Sequence, residues 1–313
     1  MKLRMGTRGS DLALWQTRWV AAQLRERHPE VELEEVILRT HAEERPDDPL
    51  QAGIWPAGGF VAELERALLA GEVDLAVHSY KDLTTKSPAG LIIAAVPVRA
   101  AREDRLVCKE EHVRARIEAL LDGTDEGPPL RIATSSPRRA AQLLHWLGAE
   151  AVPIRGNVPT RLAKAMEPGI DAVMLAGAGL DRLQLKPPHV VELALEDFPT
   201  APAQGALAIQ TRVDSEAEAL VRPLDVLDLR RAVDAERAFL AQMDAGCHSA
   251  VAAMAEVDGS VVRLHAQVFV DTESDPFDEV AYGTDAALLG RTLARRAIDE
   301  LGLAREGETE PAE

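Results

Sequence analysis

Val73-Asp-Leu-Ala-Val-His-Ser-Tyr-Lys-Asp-Leu83 is an apolar run that stops abruptly in base, hydroxyl and acid side chains. Val73, Leu75, Ala76 and Val77 suit a short buried strand, Gly71 closes a preceding helix, and Pro88-Ala-Gly90 ends whatever follows. His78, Ser79, Lys81 and Asp82 are therefore expected just past the C-terminal end of a strand. In open α/β sheets ligands bind in the crevice outside that edge, which makes Asp82 the candidate catalytic residue. The competing reading is a solvated turn at Lys81 and Asp82 above a hydrogen-bonded core histidine.

Upstream of this stretch, residues 3–6 read as a short strand, and Ser10 is a good N-cap for an amphipathic helix over 11–27. Trp15 and Trp19 lie at helical spacing and are expected in the core. Residues 31–39 alternate enough for a strand. Residues 40–57 are acidic, Pro-bearing and unpatterned, a length that suggests a lid. A helix over 60–70 then leads into the central strand.

Downstream, 91–98 is a second buried strand, 99–104 a crossing between lobes, and 106–109 a strand that places Cys108 in the core. Residues 130–134 form a strand, and Ser136 with Pro137 opens a helix that reaches Leu147 and stops at Gly148. A strand at 151–154, the loop Arg155-Gly-Asn157 and a helix with Arg161 and Lys164 follow. Residues 170–175 are again strand-like, and Gly177-Ala-Gly179 reads as a turn.

Two short matches relate the halves. Leu3-Arg-Met-Gly-Thr7 echoes Leu130-Arg-Ile-Ala-Thr134, and Val73-Asp-Leu-Ala-Val77 echoes Ile170-Asp-Ala-Val-Met174. The order is the same in both, which predicts two similar α/β lobes around a cleft. Residues 206–211 supply one more strand, returning to the first lobe. A long helix over 228–243, strands at 251–257, 261–270 and 279–282, and a helix over 286–301 describe a smaller α+β domain. The expected domains are 1–98 with 201–217, then 99–200, then 218–313, with an acidic, disordered tail from Arg305.

The chain has 313 residues, 46% hydrophobic and 28% charged, as an ordinary globular protein does, with a formal net charge of −17. That charge argues against nucleic acid or an anionic membrane as partner. No run approaches the roughly 18 apolar residues of a membrane span, and the first helix carries Arg18, Arg25 and Arg27 rather than a signal-peptide core, so a cytoplasmic location is expected. The two cysteines, Cys108 and Cys247, are too far apart in sequence to suggest a disulfide framework.

Within this acidic chain arginines gather at predicted loop ends: Arg8, Arg138 with Arg139, Arg155 with Arg161, and Arg182. Each alone reads as a solvated helix-end charge. Together, with the helix starts after Ser10 and Ser136, they point to a ligand bearing several carboxylates or phosphates. No phosphate loop, dinucleotide fingerprint or zinc-ligand spacing is present. Cys247 follows Gly246 at a helix end, where a sulfur is a nucleophile, an attachment point or an accident of sequence.

The stretches Thr7-Arg-Gly-Ser-Asp-Leu-Ala-Leu-Trp-Gln16, His78-Ser-Tyr-Lys-Asp82, Thr134-Ser-Ser-Pro-Arg-Arg139, Arg155-Gly-Asn157, Ala203-Gln-Gly205 and Gly246-Cys247 occur in an order that resembles the porphobilinogen deaminase family. The resemblance implies two α/β lobes like those of periplasmic binding proteins and a third domain whose cysteine, here Cys247, carries a dipyrromethane cofactor in thioether linkage. It implies a transferase that joins four porphobilinogen molecules, with Asp82 catalytic. By the same resemblance Lys81, Asp82, Ser136, Arg138, Arg139 and Arg161 bind the cofactor, and Arg8, Ser10, Phe60, Ser79, Arg155, Arg182 and Gln204 bind substrate. No metal is expected from the ligand spacing, and a monomer is the default expectation. Two rivals stand beside it. A two-lobed binding protein for an acidic solute leaves Cys247 and the third domain unexplained, and a cysteine hydrolase would use Cys247 as nucleophile.

Overall fold

The computed structural model describes residues 1–38, 59–244, 250–271 and 274–303. The lid expected at 40–57, Cys247 with His248, and the tail from Arg305 lie outside the described residues. In chain order the first elements are β1 (Lys2–Thr7), α1 (Asp11–Arg27), β2 (Glu32–Ile37), α2 (Gly59–Leu69), β3 (Leu75–Ser79), a 3-10 turn (Tyr80–Asp82) and β4 (Leu91–Ala95). Next come β5 (Asp104–Cys108), α3 (Glu111–Leu121), β6 (Arg131–Ala133), α4 (Pro137–Leu147), β7 (Glu150–Val152), α5 (Val158–Lys164), β8 (Ala172–Ala176), α6 (Gly177–Arg182) and β9 (Val190–Glu192). The chain ends with β10 (Leu207–Arg212), α7 (Glu216–Val221), α8 (Leu227–Asp244), β11 (Ala250–Asp258), β12 (Val261–Phe269), β13 (Phe277–Gly283) and α9 (Ala286–Glu300).

The first sheet has the order β2-β1-β3-β10-β4, with β1 parallel to β2 and β3, and β10 antiparallel to β3 and β4. Helices cover both faces. Leu3, Met5, Leu75, Val77, Leu207 and Ile209 bury against Val20 and Leu24 of α1, while Ala76 faces Leu64, Ala67 and Leu68 of α2. Each fully buried Leu, Val or Ile contributes about 1.5–3 kcal/mol relative to exposure, so α1 and α2 are held by their apolar stripes.

The second sheet, β7-β6-β8-β5-β9, repeats this plan, with β5 taking the antiparallel place of β10. Both sequence echoes are the same structural device. Arg4 N–H donates to Asp74 Oδ2 at 2.9 Å while Asp74 N–H donates to the Arg4 carbonyl at 2.8 Å. Arg131 and Asp171 reproduce the exchange at 2.7 and 2.9 Å. In each lobe the aspartate closes the parallel pair at the point where its strands begin.

The third sheet is an antiparallel meander of β11, β12 and β13, packed on α8 and α9 through Phe239, Met243, Leu264, Leu293 and Ile298. A Cβ on Gly290 would come within 2.2 Å of the Ala235 carbonyl and 2.8 Å of the Phe239 nitrogen. That glycine lets the two helix backbones touch. The fold is thus two α/β lobes and a smaller α+β C-terminal domain. Residues 1–100 with 205–230 form one compact unit and 101–204 with 231–313 another. Within the latter, Ala253 N–H of β11 donates to the Thr200 carbonyl at 3.0 Å.

Three local expectations shift. His78 and Ser79 lie inside β3, because β10 pairs Leu207 with Ser79 and Ala208 with His78 and so extends the strand. Gly177-Ala-Gly179 is the first turn of α6 rather than a loop. The polar, Arg-rich α3 and the short β9 and α7 carry weak patterns and are absent from the sequence reading.

Candidate functional site

The strand that ends at Ser79 delivers the candidate catalytic residue. Tyr80 N–H donates to the Ala206 carbonyl at 3.0 Å and Leu83 N–H to the Tyr80 carbonyl at 3.2 Å, which fixes a single 3-10 turn. Buried Tyr80 and Leu83 anchor the turn, leaving Lys81 half-buried and Asp82 exposed. Among the described residues no hydrogen bond or ion pair engages the Asp82 carboxylate. Beside it, Ser79 Oγ accepts from Gln16 Nε2 at 2.7 Å, and Gln16 is buried on α1. Arg8 and Ser10 follow β1, where Ser10 caps α1 by accepting from Ala13 N–H at 3.4 Å. Phe60 falls in the first turn of α2.

His78 is the core histidine of the competing reading. It is 5% exposed, and burial, opposed by the polar side chain of neighbouring Gln210, pushes it down to about 4. Gln210 Nε2 in turn donates to Glu65 Oε1 at 3.0 Å. Neutral imidazole is the form this pocket holds.

In the second unit the arginine pair is not a solvated helix end. Ser136 caps α4, accepting from Arg139 N–H at 3.5 Å, and Pro137 opens its first turn. Arg138 and Arg139 then point inward onto Asp104, which is 0% exposed. Arg138 Nη2 reaches Asp104 Oδ2 at 2.8 Å and Arg139 Nη2 reaches Oδ1 at 2.7 Å. Gln204 Nε2 donates to the same Oδ1 at 2.8 Å and to the Arg102 carbonyl at 2.7 Å. Burial alone would raise the Asp104 carboxyl, but the two guanidiniums outweigh it and hold the group well below the usual carboxylate range. The Nε–H groups of Arg138 and Arg139 are buried and have no partner among the described residues.

Arg182 is buried at the end of α6, and burial pulls it down to about 10. Arg155 is exposed on the loop after β7, while Arg161 Nε donates to the Gly156 carbonyl at 2.7 Å and Lys164 to the Arg155 carbonyl at 3.2 Å. The sequence reading missed Asp104, which it placed in a crossing, and gave no role to Gln16 or Gln142. The adjacent pair Arg138-Arg139 gave no signal for Asp104, because only once both guanidiniums are known to be buried do they require a carboxylate. Cys108 is 1% exposed, and burial pushes its thiol up to about 12, as its core role requires. Among the described residues no cluster of three or more His, Cys, Asp or Glu could hold a metal ion, and no helix is long and apolar enough to cross a membrane.

A family model described as "Porphobilinogen deaminase, dipyromethane cofactor binding domain" matches residues 3–219, and one described as "Porphobilinogen deaminase, C-terminal domain" matches residues 230–299. The fold and these matches define a transferase of tetrapyrrole biosynthesis that has a dipyrromethane cofactor-binding domain. A porphobilinogen deaminase of Syntrophus aciditrophicus is 40% identical over 304 residues, covering 95% of this chain and 95% of that one, and one of Rubrobacter xylanophilus is 42% identical over 300 residues, covering 95% and 94%. The chain belongs to the porphobilinogen deaminase family. Among solved structures it is similar to an ancestral cationic amino acid solute binding protein, at 15% identity and TM-score 0.44, covering 74% of this chain and 89% of that one. A second is the BenM effector binding domain, at 12% identity and TM-score 0.43, covering 74% and 90%.

Proposed function

We propose that this chain condenses four porphobilinogen molecules head to tail, releasing ammonia at each addition, and that water then cleaves the finished chain from its primer to give hydroxymethylbilane, with Asp82 as the catalytic carboxyl. The observation that carries the reading is the placement of Asp82: an exposed carboxylate on a rigid turn at the C-terminal end of β3, with no partner among the described residues. A carboxylate fixed by its backbone and left uncommitted by its side chain is available to a ligand.

A dipyrromethane on Cys247 would supply, when bound, the pyrrole carbon from which the product grows. The donor set fits such an acidic group. Arg138 and Arg139 present buried Nε–H groups that no described residue uses, and Lys81, Ser136 and Arg161 add cationic or hydroxyl donors. Arg8, Ser10, Phe60, Ser79, Arg155, Arg182 and Gln204 are assigned to the substrate, whose acetate and propionate explain so many arginines in an acidic chain. Loss of ammonia from an aminomethylpyrrole leaves positive charge on the ring, which the Asp82 carboxylate stabilises where it develops. The same carboxylate then takes the proton that the attacked pyrrole carbon gives up as the new bond forms. Gln16 orients Ser79 beside this turn.

The domain limits 1–98 with 201–217, 99–200 and 218–313 belong to this reading, as do a cytoplasmic location and a monomeric state. Intact mass and turnover test it together. The purified protein should exceed its sequence mass by two linked pyrroles and the Cys247→Ser variant should not. Asp82→Asn should keep the added mass while turnover falls by about 10²–10⁴-fold. Undiminished turnover in Asp82→Asn, or a bare Cys247 in active protein, would sink the assignment.

A further inference from the structure

A continuous chain of polar side chains, buried except at Asp278, runs from the C-terminal domain into the second lobe. His265 Nε2 lies 2.6 Å from Asp278 Oδ1, and Asp278 Oδ2 accepts from Gln267 Nε2 at 2.8 Å. Gln267 Oε1 accepts from Gln142 Nε2 at 3.0 Å, and Gln142 Oε1 accepts from Arg138 Nη1 at 2.7 Å. Arg138 Nη2 then completes the path to Asp104. Gln142, Gln267 and Asp104 are all 0% exposed, so no water competes for these groups.

The ends of the chain dictate its direction. A buried amide can point either way unless its neighbours choose, and here they do: ionised Asp278 only accepts and Arg138 only donates. Gln267 must therefore turn its nitrogen to Asp278 and its oxygen to Gln142, and Gln142 must turn its oxygen to Arg138. Reversing either amide would bring like groups together in the interior. Gln142 Nε2 also donates to the Pro199 carbonyl at 2.8 Å, which supports the same orientation. At Arg138 the Asp104 contact alone would leave the guanidinium free to swing about one hydrogen bond; the Gln142 contact at the neighbouring nitrogen sets its plane. The remaining contact of Nη1, to the Pro199 carbonyl, is 3.4 Å long and weak.

We infer that Gln142 and Gln267 are positioning residues for Arg138, through which the C-terminal domain sets the orientation of an arginine that the second lobe offers to the cofactor. The inference rests on the assignment of Arg138 to the carboxylates of that group. It gives Gln267 a role of its own: the domain whose sequence contains Cys247 also aligns a guanidinium outside itself. Asp278 belongs to the same role at one remove, since with the Asp197 carbonyl, to which Gln267 Nε2 also donates at 3.2 Å, it fixes the amide of Gln267.

The test compares Gln267→Leu, Asp278→Asn, Arg138→Met and the double variant Gln267→Leu/Arg138→Met. It reads the fraction of folded protein carrying the dipyrromethane by intact mass, with circular dichroism for folding and KM and kcat for porphobilinogen. Gln267→Leu is expected to cut the loaded fraction, or the affinity expressed as KM, by about tenfold, the worth of one hydrogen bond to a charged group. Asp278→Asn, on a partly exposed edge strand, should show a two- to threefold effect by the same argument at weaker polarisation. The double variant should be no worse than Arg138→Met. A merely structural role would lower thermal stability while the folded fraction stayed fully loaded with wild-type KM. That result in Gln267→Leu and Asp278→Asn overturns the inference, as does a double variant in which the two losses multiply; should Gln267→Leu not fold, Asp278→Asn decides. Normal loading and KM in Arg138→Met would instead defeat the assignment of Arg138 and the inference with it. Loss in Arg138→Met with none in the other two single variants removes the inference alone.

Discussion

Replacing Asp104 by Asn removes one negative charge from a site that holds two buried cations. Its carboxylate is 0% exposed and pairs with Arg138 at 2.8 Å and Arg139 at 2.7 Å. Asparagine could still accept one hydrogen bond through Oδ1, but its amide nitrogen would face a guanidinium, donor against donor. Removing one partner of a buried ion pair costs about 3–5 kcal/mol, a large part of the 5–15 kcal/mol that typical domains possess. At about 2–4 °C per kcal/mol for a unit of this size, the melting temperature should fall by roughly 10 °C. Thermal unfolding at pH 7 measures it, with Trp146 on the same helix as both arginines as a local reporter. The loss should have a defined pH course. Asp104 has a folded-state pKa held below its unfolded value, so its stabilisation is complete above the unfolded value of about 3.9 and disappears as pH falls through the folded one. The deficit of the variant should therefore be constant near neutrality and shrink in acid. The triple variant Asp104→Leu/Arg138→Met/Arg139→Leu should recover stability, because an apolar set of similar volume pays no desolvation, yet lack the guanidiniums assigned to the cofactor. A loss below about 1 kcal/mol for Asp104→Asn would refute the reasoning.

Two further substitutions probe other parts of the fold. His78 is held neutral, with its folded-state value pushed down to about 4 from 6.5. The unfolded chain therefore binds a proton that the folded one refuses between those values, and stability should decline by up to roughly 3 kcal/mol as pH drops through that window. In His78→Gln the slope of urea-unfolding stability over the same window should be flatter; an unchanged slope would show that another group carries it. Gly290→Ala drives a methyl into the backbone of α8, and neither the Ala235 carbonyl nor the Phe239 nitrogen can yield as a side chain would. The expected cost is about 1–3 kcal/mol or more in thermal unfolding, and a neutral result would mean that the two helices can separate freely.

Much of this architecture was legible in the sequence because local and global signals agreed. Ser10 and Ser136 mark helix starts that the structure confirms to the residue, and Gly148 adopts the left-handed conformation (φ 57°) of a helix stop. The echo between residues 3–7 and 130–134 was short, but Arg4-Asp74 and Arg131-Asp171 make the same backbone exchange, so it carried real topology. The return of residues 207–212 to the first sheet was read from one apolar run. What escaped was set by partners distant in sequence. His78 joined its strand only because β10 pairs beside it, and Asp104 gained its role only when Arg138 and Arg139 turned inward. Of the candidate site, the positions of Asp82 and the capping serines were legible; the place of Ser79 inside its strand was not, nor was the burial of the arginine pair, since an arginine beside a proline-opened helix start looks the same whether it meets water or a carboxylate.

The antiparallel strands of the two α/β sheets arrive at different times as the polypeptide is made. β5 precedes its sheet partners β6, β7, β8 and β9, so the second sheet is complete in sequence by Glu192, whereas the first sheet lacks the strand between β3 and β4 until residues 207–212 exist. The N-terminal lobe, though synthesised earliest, is expected to close after its neighbour, with the flanks of β3 and β4 unpaired until then. A polypeptide stopped at residue 206 should therefore protect the amides of β5 and β8 from hydrogen exchange and leave those of β3 and β4 open; equal protection of both would show that the early lobe can close unaided. The turn bearing Asp82 therefore depends on a strand more than a hundred residues younger than the one it completes.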